Sequence, residues 1–307
     1  MRSHFLKIVY ICSLFSANSF GQGTTETNIS QWKKAIVKIE SIQQRYTFDQ
    51  VDAMLHKKLD TIKGISQHDR YNQQGELLTI KDTIRGTGIL IADGNKIYLV
   101  TAKHIIKATD NVGNVESIND LITIKTNANG KASNDISLMN LATNVMNLRP
   151  YVFSSNADDL GIISFQKSDY KAIVAYIKQS GCIPLPVQAI QNINNINAGD
   201  DIVTIGFPAL AGAERNSAIV SKGKITTTSK SSPNFAADLT IYPGNTGGPV
   251  IKSNKLVGIL SFQSEVTNNI DAAAHPFQKA NSASVIKAAE IAPLLKQLQQ
   301  REHNFSR

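Results

Sequence analysis

The residues best suited to chemistry in this chain lie in one glycine-rich stretch, residues 242–250, with the sequence YPGNTGGPV. Glycine adopts backbone angles that other residues avoid, and it lets another group approach the main chain closely. Such a loop can aim several backbone N–H groups at one point, as an oxyanion hole requires, and Thr246 adds a hydroxyl beside them. A tight hairpin turn has the same composition, so the stretch by itself predicts either a turn or a reactive loop.

This stretch resembles the nucleophile loop of the chymotrypsin-fold serine proteases, whose pattern is Gly-Asp/Asn-Ser-Gly-Gly-Pro. The bacterial trypsin-like peptidases extend the pattern backwards as Asp-x-x-Ile-x-Pro, and the matching residues here are Asp238, Ile241 and Pro243. Thr246 stands where the family has its serine. The resemblance implies that Thr246 is the nucleophile and that the N–H groups of Gly244 and Thr246 form the oxyanion hole.

A second match lies upstream, in RGTGILI at residues 85–91 and LVTAKH at residues 99–104. The sequence Asp-Gly-Asn at residues 93–95 lies between them, and Asp-Gly between two apolar runs is a strong hairpin signal. The first barrel of the same family has Gly-Thr-Gly-Phe followed by Leu-Val-Thr-Ala-x-His. The resemblance therefore implies that His104 is the general base.

The third match is NADDLGIISF at residues 156–165, where two acids precede an apolar run typical of a buried strand. The family's acid stands in Asp-Leu-Ala-Leu-Leu or a similar run, which aligns Asp159. Asp158 is one residue away, so both acids are candidates for the third member of a triad.

The three residue types belong together chemically. A hydroxyl is a poor nucleophile until a base removes its proton. A histidine works as that base when a carboxylate on its other ring nitrogen holds it in the correct tautomer and orientation. The order His104, Asp159, Thr246 along the chain is also the order in the chymotrypsin family.

Thr246 leaves two functions open. Its additional methyl group restricts χ1 in a site built for serine, and about 1 Å of misplacement costs roughly 100-fold in rate. The first function is an exported trypsin-like endopeptidase that hydrolyses peptide bonds by acyl transfer through a His-Asp-Thr triad, at a low rate. The alternative is a catalytically inactive pseudoprotease that acts as a peptide-binding module. Retention of His104 and Asp159 favours the enzyme, because a binding module has no chemical need of them.

Residues 256–262 resemble the strand that pairs with substrate backbone in this family and walls its specificity pocket. The resemblance implies substrate contacts for Ser261, Phe262 and Gln263, with Gln263 narrowing the pocket in place of a small residue. Thr240, at the expected base of the pocket, carries no charge, so a trypsin-like preference for Lys or Arg has no support. The implied partner is a protein or peptide substrate.

Asn245 stands where zymogen-activated animal enzymes have an aspartate that pairs with a new N-terminus. Without that carboxylate the ion pair cannot form. We therefore predict that the chain needs no trypsinogen-style activation, and that trimming its N-terminus to a few residues short of Lys34 leaves activity unchanged.

The same resemblance implies the fold that must position these residues, an all-β fold of two six-stranded antiparallel β-barrels. Apolar spacing adds an N-terminal helical insertion and a C-terminal helix. The expected peptidase domain spans residues 22–300, with the first barrel at about 33–175, the second at about 188–277 and the closing helix at about 288–300. Apolar residues recur at helical spacing in that last segment, namely Ile291, Leu294, Leu295 and Leu298.

Near the N-terminus, periodicity predicts three elements. Residues 35–42 are β-branched and roughly alternating, as expected of a first strand, and residues 30–33 are also compatible with the start of a helix. Residues 48–65 have apolar side chains three or four positions apart, which predicts a helix with one buried face. The polar residues 66–82 predict a loop or an irregular hairpin.

The first 21 residues have the pattern of a secretory signal peptide. Arg2 and Lys7 supply positive charge around the start of an apolar run at residues 8–15, and the small residues Ser19 and Gly21 precede a cleavage point. The apolar run is too short to span a membrane. We therefore expect an exported protein, periplasmic or secreted, with no membrane span.

Composition and residue spacing limit which partners, cofactors and disulfides the chain can have. The chain has 32 basic and 24 acidic residues, and loss of Arg2 and Lys7 lowers its formal charge from +8 to +6. The basic residues are scattered, so we expect no nucleic-acid partner. The six histidines show no metal-ligand spacing and no phosphate-cradling glycine loop appears, so we expect no cofactor and no metal. Cys182 is the single cysteine after the signal sequence, which excludes an intramolecular disulfide and predicts a buried thiol.

Overall fold

The computed structural model describes residues 28–46, 48–59, 67–108, 117–119, 121–126, 135–138, 148–155, 158–190, 196–209, 217–261 and 280–305. The signal peptide expected at residues 1–21 and the expected substrate-binding residues Phe262 and Gln263 lie outside these ranges. Within the described part of the chain, no helix has the length and apolar character needed to cross a membrane.

The described residues form strands β1 to β14 and helices α1 to α6. The strands are β1 (Ile36–Gln44), β2 (Lys81–Asp93), β3 (Lys96–Ala102), β4 (Leu121–Thr126), β5 (Asp135–Leu138), β6 (Tyr151–Phe153), β7 (Leu160–Ser164), β8 (Leu185–Pro186), β9 (Asp201–Gly206), β10 (Ile219–Thr228), β11 (Asn234–Ile241), β12 (Pro249–Lys252), β13 (Lys255–Ser261) and β14 (Ala280–Lys287). The helices are α1 (Ile29–Ala35), α2 (Phe48–Leu59), α3 (Gln67–Thr79), α4 (Lys103–Ile106), α5 (Lys171–Gln179) and α6 (Ile291–Glu302).

The first sheet has eight strands. Seven follow the order β5-β4-β1-β2-β3-β7-β6 with antiparallel pairing, and β8 pairs in parallel with β2. The predicted turn joins β2 to β3, where Asp93 pairs with Lys96 and Gly94 has a φ of 57°. Side chains such as Ile39 and Leu99 fill a core under this sheet. Successive side chains of β3 point to opposite faces of the sheet, and both faces are buried because each packs on a core.

The second sheet is a closed barrel of six antiparallel strands in the order β10-β11-β14-β13-β12-β9. Buried side chains that include Phe235, Leu239 and Val285 fill its interior. Its last strand ends at Lys287, later than the expected boundary near residue 277.

These features confirm the predicted all-β fold with a helical insertion and a C-terminal helix. The first sheet differs in detail from a six-stranded barrel, because the pairings among its described residues form an open path of seven strands with β8 added beside β2. Two of those strands, β6 and β8, have three residues and two residues. Strands this short carry too little periodicity to be recognised in a sequence.

A third apolar cluster joins the two halves of the molecule. It combines buried side chains of both sheets and of the helices near the two chain ends, among them Trp32, Ile89, Tyr98, Ile205, Ile259, Leu295 and Leu298. Burial of one such side chain contributes about 1.5–3 kcal/mol. The shared core therefore holds the two sheets in one relative position.

The N-terminal segment contains both the helix and the strand that its sequence allowed. Asn28 caps α1, since its side-chain oxygen accepts a hydrogen bond from the Gln31 N–H at 3.2 Å. The chain then passes directly into β1 at Ile36. The helix predicted from residue 48 is present as α2.

Helix α3 overturns one expectation. Residues 67–79 are helical, so the loop or irregular hairpin expected at residues 66–82 is wrong. The segment contains helix-favouring residues such as glutamine, glutamate and leucine, but it has no apolar stripe. Hydrophobic periodicity therefore gave no signal for it.

Candidate active site

Sheet topology brings His104 and Asp159 together. His104 lies in α4, directly after β3, and Asp159 lies directly before β7, which pairs antiparallel with β3 so that Ala102 faces Leu160. The Nδ1 atom of His104 is 2.7 Å from Oδ2 of Asp159, and the His104 backbone N–H donates to Oδ1 at 2.9 Å. Both carboxylate oxygens of Asp159 therefore bind the same histidine.

Asp158 has different neighbours. The Ser155 hydroxyl donates to its Oδ2 at 3.4 Å, and the Ser154 hydroxyl donates to its backbone oxygen at 2.7 Å. Its Oδ1 is buried and has no hydrogen-bond partner among the described residues. Of the two acids that the sequence left open, the structure brings Asp159 to His104.

The surroundings of Asp159 keep it ionised. The Ser261 hydroxyl, at the end of β13, donates to its Oδ2 at 2.7 Å. Burial alone would raise the pKa of Asp159. The hydrogen bonds and charge of His104, together with the Ser261 hydrogen bond, outweigh burial and hold that pKa below its ordinary value. A carboxylate at Nδ1 favours the tautomer with its proton there, which leaves Nε2 of His104 with a lone pair for proton transfer.

Thr246 lies in the loop between β11 and β12, and only 3% of the residue is exposed. Its carbonyl oxygen accepts a hydrogen bond from the Thr87 N–H of β2 at 2.7 Å. On the other side, the Gly247 N–H donates to Leu260 O at 2.7 Å, and the Leu260 N–H donates to Gly248 O at 2.9 Å. The loop is thus held between the first sheet and β13.

Gly247 shows how closely this loop packs against the strand that leads to His104. Its φ is 83°, and a Cβ built on it would overlap Thr87 O and lie 3.1 Å from Ala102 N. Only glycine fits there. Gly247 follows Thr246, and Ala102 is the last residue of β3 before α4. The packing therefore brings the loop to the end of β3, beside the helical turn that carries His104.

The start of the loop is a type II turn. The Asn245 N–H donates to Tyr242 O at 3.0 Å, Pro243 occupies the second position, and Gly244 occupies the third with a φ of 93°. The Ala209 N–H donates to Pro243 O at 2.7 Å. Because the peptide bond is planar and trans, the Gly244 N–H points away from Ala209. Among the described residues, none accepts a hydrogen bond from the Gly244 N–H.

The expected substrate-binding residues are only partly described. Thr240 is half-buried in β11, in the irregular part between Asp238 and Ile241 where the register with β14 shifts. Ser261 gives its hydroxyl to Asp159. Phe262 and Gln263 lie outside the described residues, so their part in a specificity pocket stays a prediction.

Gln43 supports the site although the sequence analysis gave it no role. Its Nε2 donates to the backbone oxygens of His104 at 2.9 Å and of Lys107 at 2.6 Å. These bonds fix the helical turn that carries His104. A glutamine near the end of a strand has no distinguishing sequence signal, because its partners are reached only in the fold.

Lys103 is a second supporting residue that the sequence analysis missed. Although charged, it is buried, and its Nζ donates to Ser155 O at 2.9 Å. Its backbone N–H donates to Asp159 O at 3.0 Å. Lys103 thereby ties the helical turn of His104 to the segment that carries Asp159.

The described residues show no group of three or more His, Cys, Asp or Glu side chains that could hold a metal ion. Cys182 is buried, and burial raises the pKa of its thiol, as expected of an unreactive cysteine. A cavity of about 60 Å³ lies beside Trp32 and Asn254, and an open groove of about 870 Å³ runs along β9, β10 and β12. Neither depression is lined by the residues of the candidate site.

Comparison with known proteins identifies one family. The family model described as a trypsin-like peptidase domain matches residues 86–259, more than half of the chain. No curated protein matches the chain.

Three solved structures resemble this one at low sequence identity. The first is Rv3671c from M. tuberculosis H37Rv, an inactive serine-to-alanine mutant, with 14% identity, 89% of this chain and 90% of that chain covered, and a TM-score of 0.43. The second is the HtrA-type protease AlgW with a decapeptide, with 13% identity, 91% and 67% covered, and a TM-score of 0.47. The third is the protease Anisep from Arthrobacter nicotinovorans, with 14% identity, 83% and 90% covered, and a TM-score of 0.44.

Proposed function

Because the chain belongs to the trypsin-like peptidase domain family, we propose that it is an exported endopeptidase that hydrolyses peptide bonds through Thr246, His104 and Asp159. The observation that carries the proposal is the His104–Asp159 pair, in which both carboxylate oxygens bind the histidine and Nδ1 lies 2.7 Å from Oδ2. A histidine held in one tautomer serves proton transfer, and plain peptide binding has no need of it.

The first half of the proposed reaction forms an acyl-enzyme. Thr246 Oγ1 attacks the carbonyl carbon of the substrate while Nε2 of His104 takes the hydroxyl proton. A C–O bond forms, and the carbonyl oxygen becomes an oxyanion bound by the N–H groups of Gly244 and Thr246. Asp159 stabilises the imidazolium. The C–N bond then breaks, and His104 gives its proton to the leaving amine.

The second half releases the acyl group. Water attacks the ester carbon while His104 takes a proton from it, and a second oxyanion occupies the same hole. The ester C–O bond then breaks, and His104 returns the proton to the oxygen of Thr246. The products are a carboxylic acid and an amine, and the enzyme regains its starting state.

The proposed export rests on the signal pattern in residues 1–21. Mass spectrometry of the protein recovered from the periplasm or the medium should give an N-terminus close to residue 22. Recovery from the cytoplasm of a chain that still carries Arg2 and Lys7 would contradict export.

A pseudoprotease that binds peptides is the second candidate, and one observation favours it. Thr246 is only 3% exposed, and its Cβ carries a methyl group that serine lacks. That methyl group limits the rotations by which the hydroxyl could reach a substrate carbon. In this second reading the loop and β13 bind an extended peptide without turning it over.

Three forms of the protein test these functions: wild type, Thr246→Ser and Thr246→Ala, each incubated with fluorescently labelled casein. Thr227→Ala is the matched control, since Thr227 is an exposed threonine on β10. The proposal predicts cleavage by wild type and by the control, faster cleavage by Thr246→Ser, and loss of cleavage in Thr246→Ala. Cleavage by Thr246→Ser alone supports the pseudoprotease. Equal cleavage by wild type and Thr246→Ala removes Thr246 from the mechanism.

A further inference from the structure

We propose that the hydroxyl of Thr87 is a positioning group that fixes the orientation of the oxyanion-hole turn. It acts through Gly244 and does not touch the substrate. The inference rests on the proposed peptidase function of the same site. Thr87 belongs to the first sheet and Gly244 to a loop of the second barrel, so the hydroxyl joins the two halves beside the reacting groups.

Thr87 is completely buried, and its hydroxyl both accepts and donates a hydrogen bond. Oγ1 accepts from the Phe207 N–H at 2.9 Å and donates to Gly244 O at 2.8 Å. The backbone of Thr87 is also engaged, because its N–H donates to Thr246 O and its carbonyl accepts from the Thr101 hydroxyl, both at 2.7 Å. One residue thus connects β2 with the end of β9 and with the nucleophile loop.

The packing around Thr87 leaves little room for these segments to shift. A Cβ built on Gly206 would lie 2.9 Å from the Asn245 Cα and 3.1 Å from Oγ1 of Thr87. A Cβ built on Gly244 would overlap Phe207 O. The turn is therefore pressed directly against the chain that follows β9.

The Pro243–Gly244 peptide can adopt two orientations in this turn, and only the observed one points the Gly244 N–H towards an oxyanion. Glycine in the third position accepts both a type II turn, with positive φ, and a type I turn, with negative φ, and the two differ in the direction of the central peptide. In the flipped turn, Pro243 O would point where the Gly244 N–H points now. The oxyanion would then face an acceptor. The hydrogen bond from Ala209 N–H to Pro243 O, at 2.7 Å, opposes that flip.

The Thr87 hydroxyl supports the Ala209–Pro243 hydrogen bond by binding a neighbour of each partner. Its hydroxyl binds Phe207, which lies close before Ala209 in the chain, and Gly244, which follows Pro243. The hydroxyl therefore fixes the separation that the Ala209–Pro243 bond must span. Without it, a buried N–H and a buried C=O lose their partner and gain by moving towards another one. The flipped turn then becomes populated.

Three variants separate the hydroxyl from the shape of the side chain. Thr87→Val removes the hydroxyl and keeps the branched Cβ, whereas Thr87→Ser keeps the hydroxyl. Thr204→Val is the matched control, because Thr204 is also a buried threonine whose hydroxyl donates to a backbone carbonyl, Pro249 O, at 3.0 Å. Thr87→Ala replaces the valine variant if the latter does not fold.

Two measurements report on the turn. Cleavage of labelled casein, in the wild-type and the Thr246→Ser background, gives apparent kcat and KM. Loss of one oxyanion-hole donor costs about 10²–10³-fold in kcat, so a flip that predominates, in about 90–99% of the molecules, should lower kcat by about 10–100-fold with little change in KM. Hydrogen exchange of the Ala209 amide, followed by NMR, reports loss of its bond to Pro243 O without any need for turnover. The Asn245 amide is the internal reference, because both turn types keep its bond to Tyr242 O.

We expect Thr87→Val to lower kcat and to speed exchange selectively at Ala209, with both effects absent in Thr87→Ser and Thr204→Val. Unchanged kcat and unchanged exchange in Thr87→Val would overturn the proposal, as would equal losses in Thr204→Val. If neither background cleaves casein, the proposed peptidase function fails. The hydrogen-exchange data alone then test whether Thr87 anchors the turn. Selective acceleration at the Ala209 amide then supports the anchoring by Thr87, and its absence overturns it.

Discussion

At the scale of single residues, Asp159 determines the electrostatics of the candidate site. It accepts hydrogen bonds from the His104 ring, the His104 N–H and the Ser261 hydroxyl. Burial acts against its ionisation, but these donors outweigh burial and lower its pKa. A carboxylate with a lowered pKa stabilises the fold at pH values above its unfolded pKa. That stabilisation is lost as the pH falls through the folded pKa.

Asp159→Asn should lower kcat by about 10⁴-fold, because a carboxamide does not hold the histidine in the required tautomer. Apparent kcat is measured with labelled casein, in whichever of wild type and Thr246→Ser cleaves faster. Asp158→Asn is the matched control and should retain most of the activity. The reverse result, with the larger loss in Asp158→Asn, would exchange the roles of the two acids.

At the scale of elements, three neighbouring strands of the first sheet meet at Glu40. Its carboxylate binds the amine of Lys38 at 3.0 Å, the guanidinium of Arg85 at 3.2 Å and the amine of Lys125 at 3.2 Å. Arg85 lies opposite Glu40 in the pairing of β1 with β2, and Lys125 comes from β4 on the other side. Partial burial would raise the pKa of Glu40, but Lys38 and Lys125 lower it to about 2.

Glu40→Gln should cost stability in a pH-dependent way. The folded pKa is below the ordinary value of 4.5, so the ion network stabilises the fold fully above pH 4.5 and loses its effect as the pH falls towards 2. Thermal unfolding from pH 7 downwards should show a difference in Tm between wild type and Glu40→Gln that shrinks below pH 4.5. Glu76→Gln, at an exposed glutamate of α3, is the control. A difference that grows on acidification would contradict the assigned network.

At the scale of the whole molecule, segments near both ends of the chain close the core between the two sheets. Helix α6 contributes Leu295 and Leu298, and helix α1 contributes Trp32. The Trp32 indole N–H donates to Asn254 Oδ1 at 2.8 Å, in the turn between β12 and β13. A helix that precedes the first sheet is thus attached to a hairpin of the second barrel. The N-terminal segment therefore supports the fold, which limits how far trimming is tolerated.

A chain that starts at residue 28 should keep its stability and its cleavage rate, because it retains the cap of α1 and Trp32. A chain that starts at residue 36 should lose about 3–5 kcal/mol or more, the cost of deleting a large buried aromatic side chain, and should fail to cleave. Both are measured by urea unfolding and by casein cleavage. Ser30→Ala is a control at an exposed position of the same helix. A gain of activity on removal of residues 1–27 would contradict the prediction that the enzyme needs no N-terminal activation.

Local patterns in the sequence were enough for the family, the all-β fold and the residue types of the site. The stretch 242–250, the LVTAKH run and the acid-led strand at 156–165 are each contiguous. The match to the trypsin-like peptidase domain confirms the family prediction. A contiguous motif survives in the sequence because neighbouring residues build a single turn or strand end. Helix α3 was missed because its mostly polar residues form a helix without an apolar stripe, so the sequence shows no helical periodicity there.

Only the tertiary structure decided which groups meet. Asp158 and Asp159 are equivalent as sequence, but Asp158 lies in a bend, where its N–H donates to Ser155 O, whereas the pairing of β7 with β3 directs Asp159 to His104. Thr87 and Gly244 are 157 positions apart, and their hydrogen bond exists because two sheets share a core. No periodicity encodes such a contact. The sequence determined the chemical groups and their local turns, whereas the packing of the two sheets determined their partners.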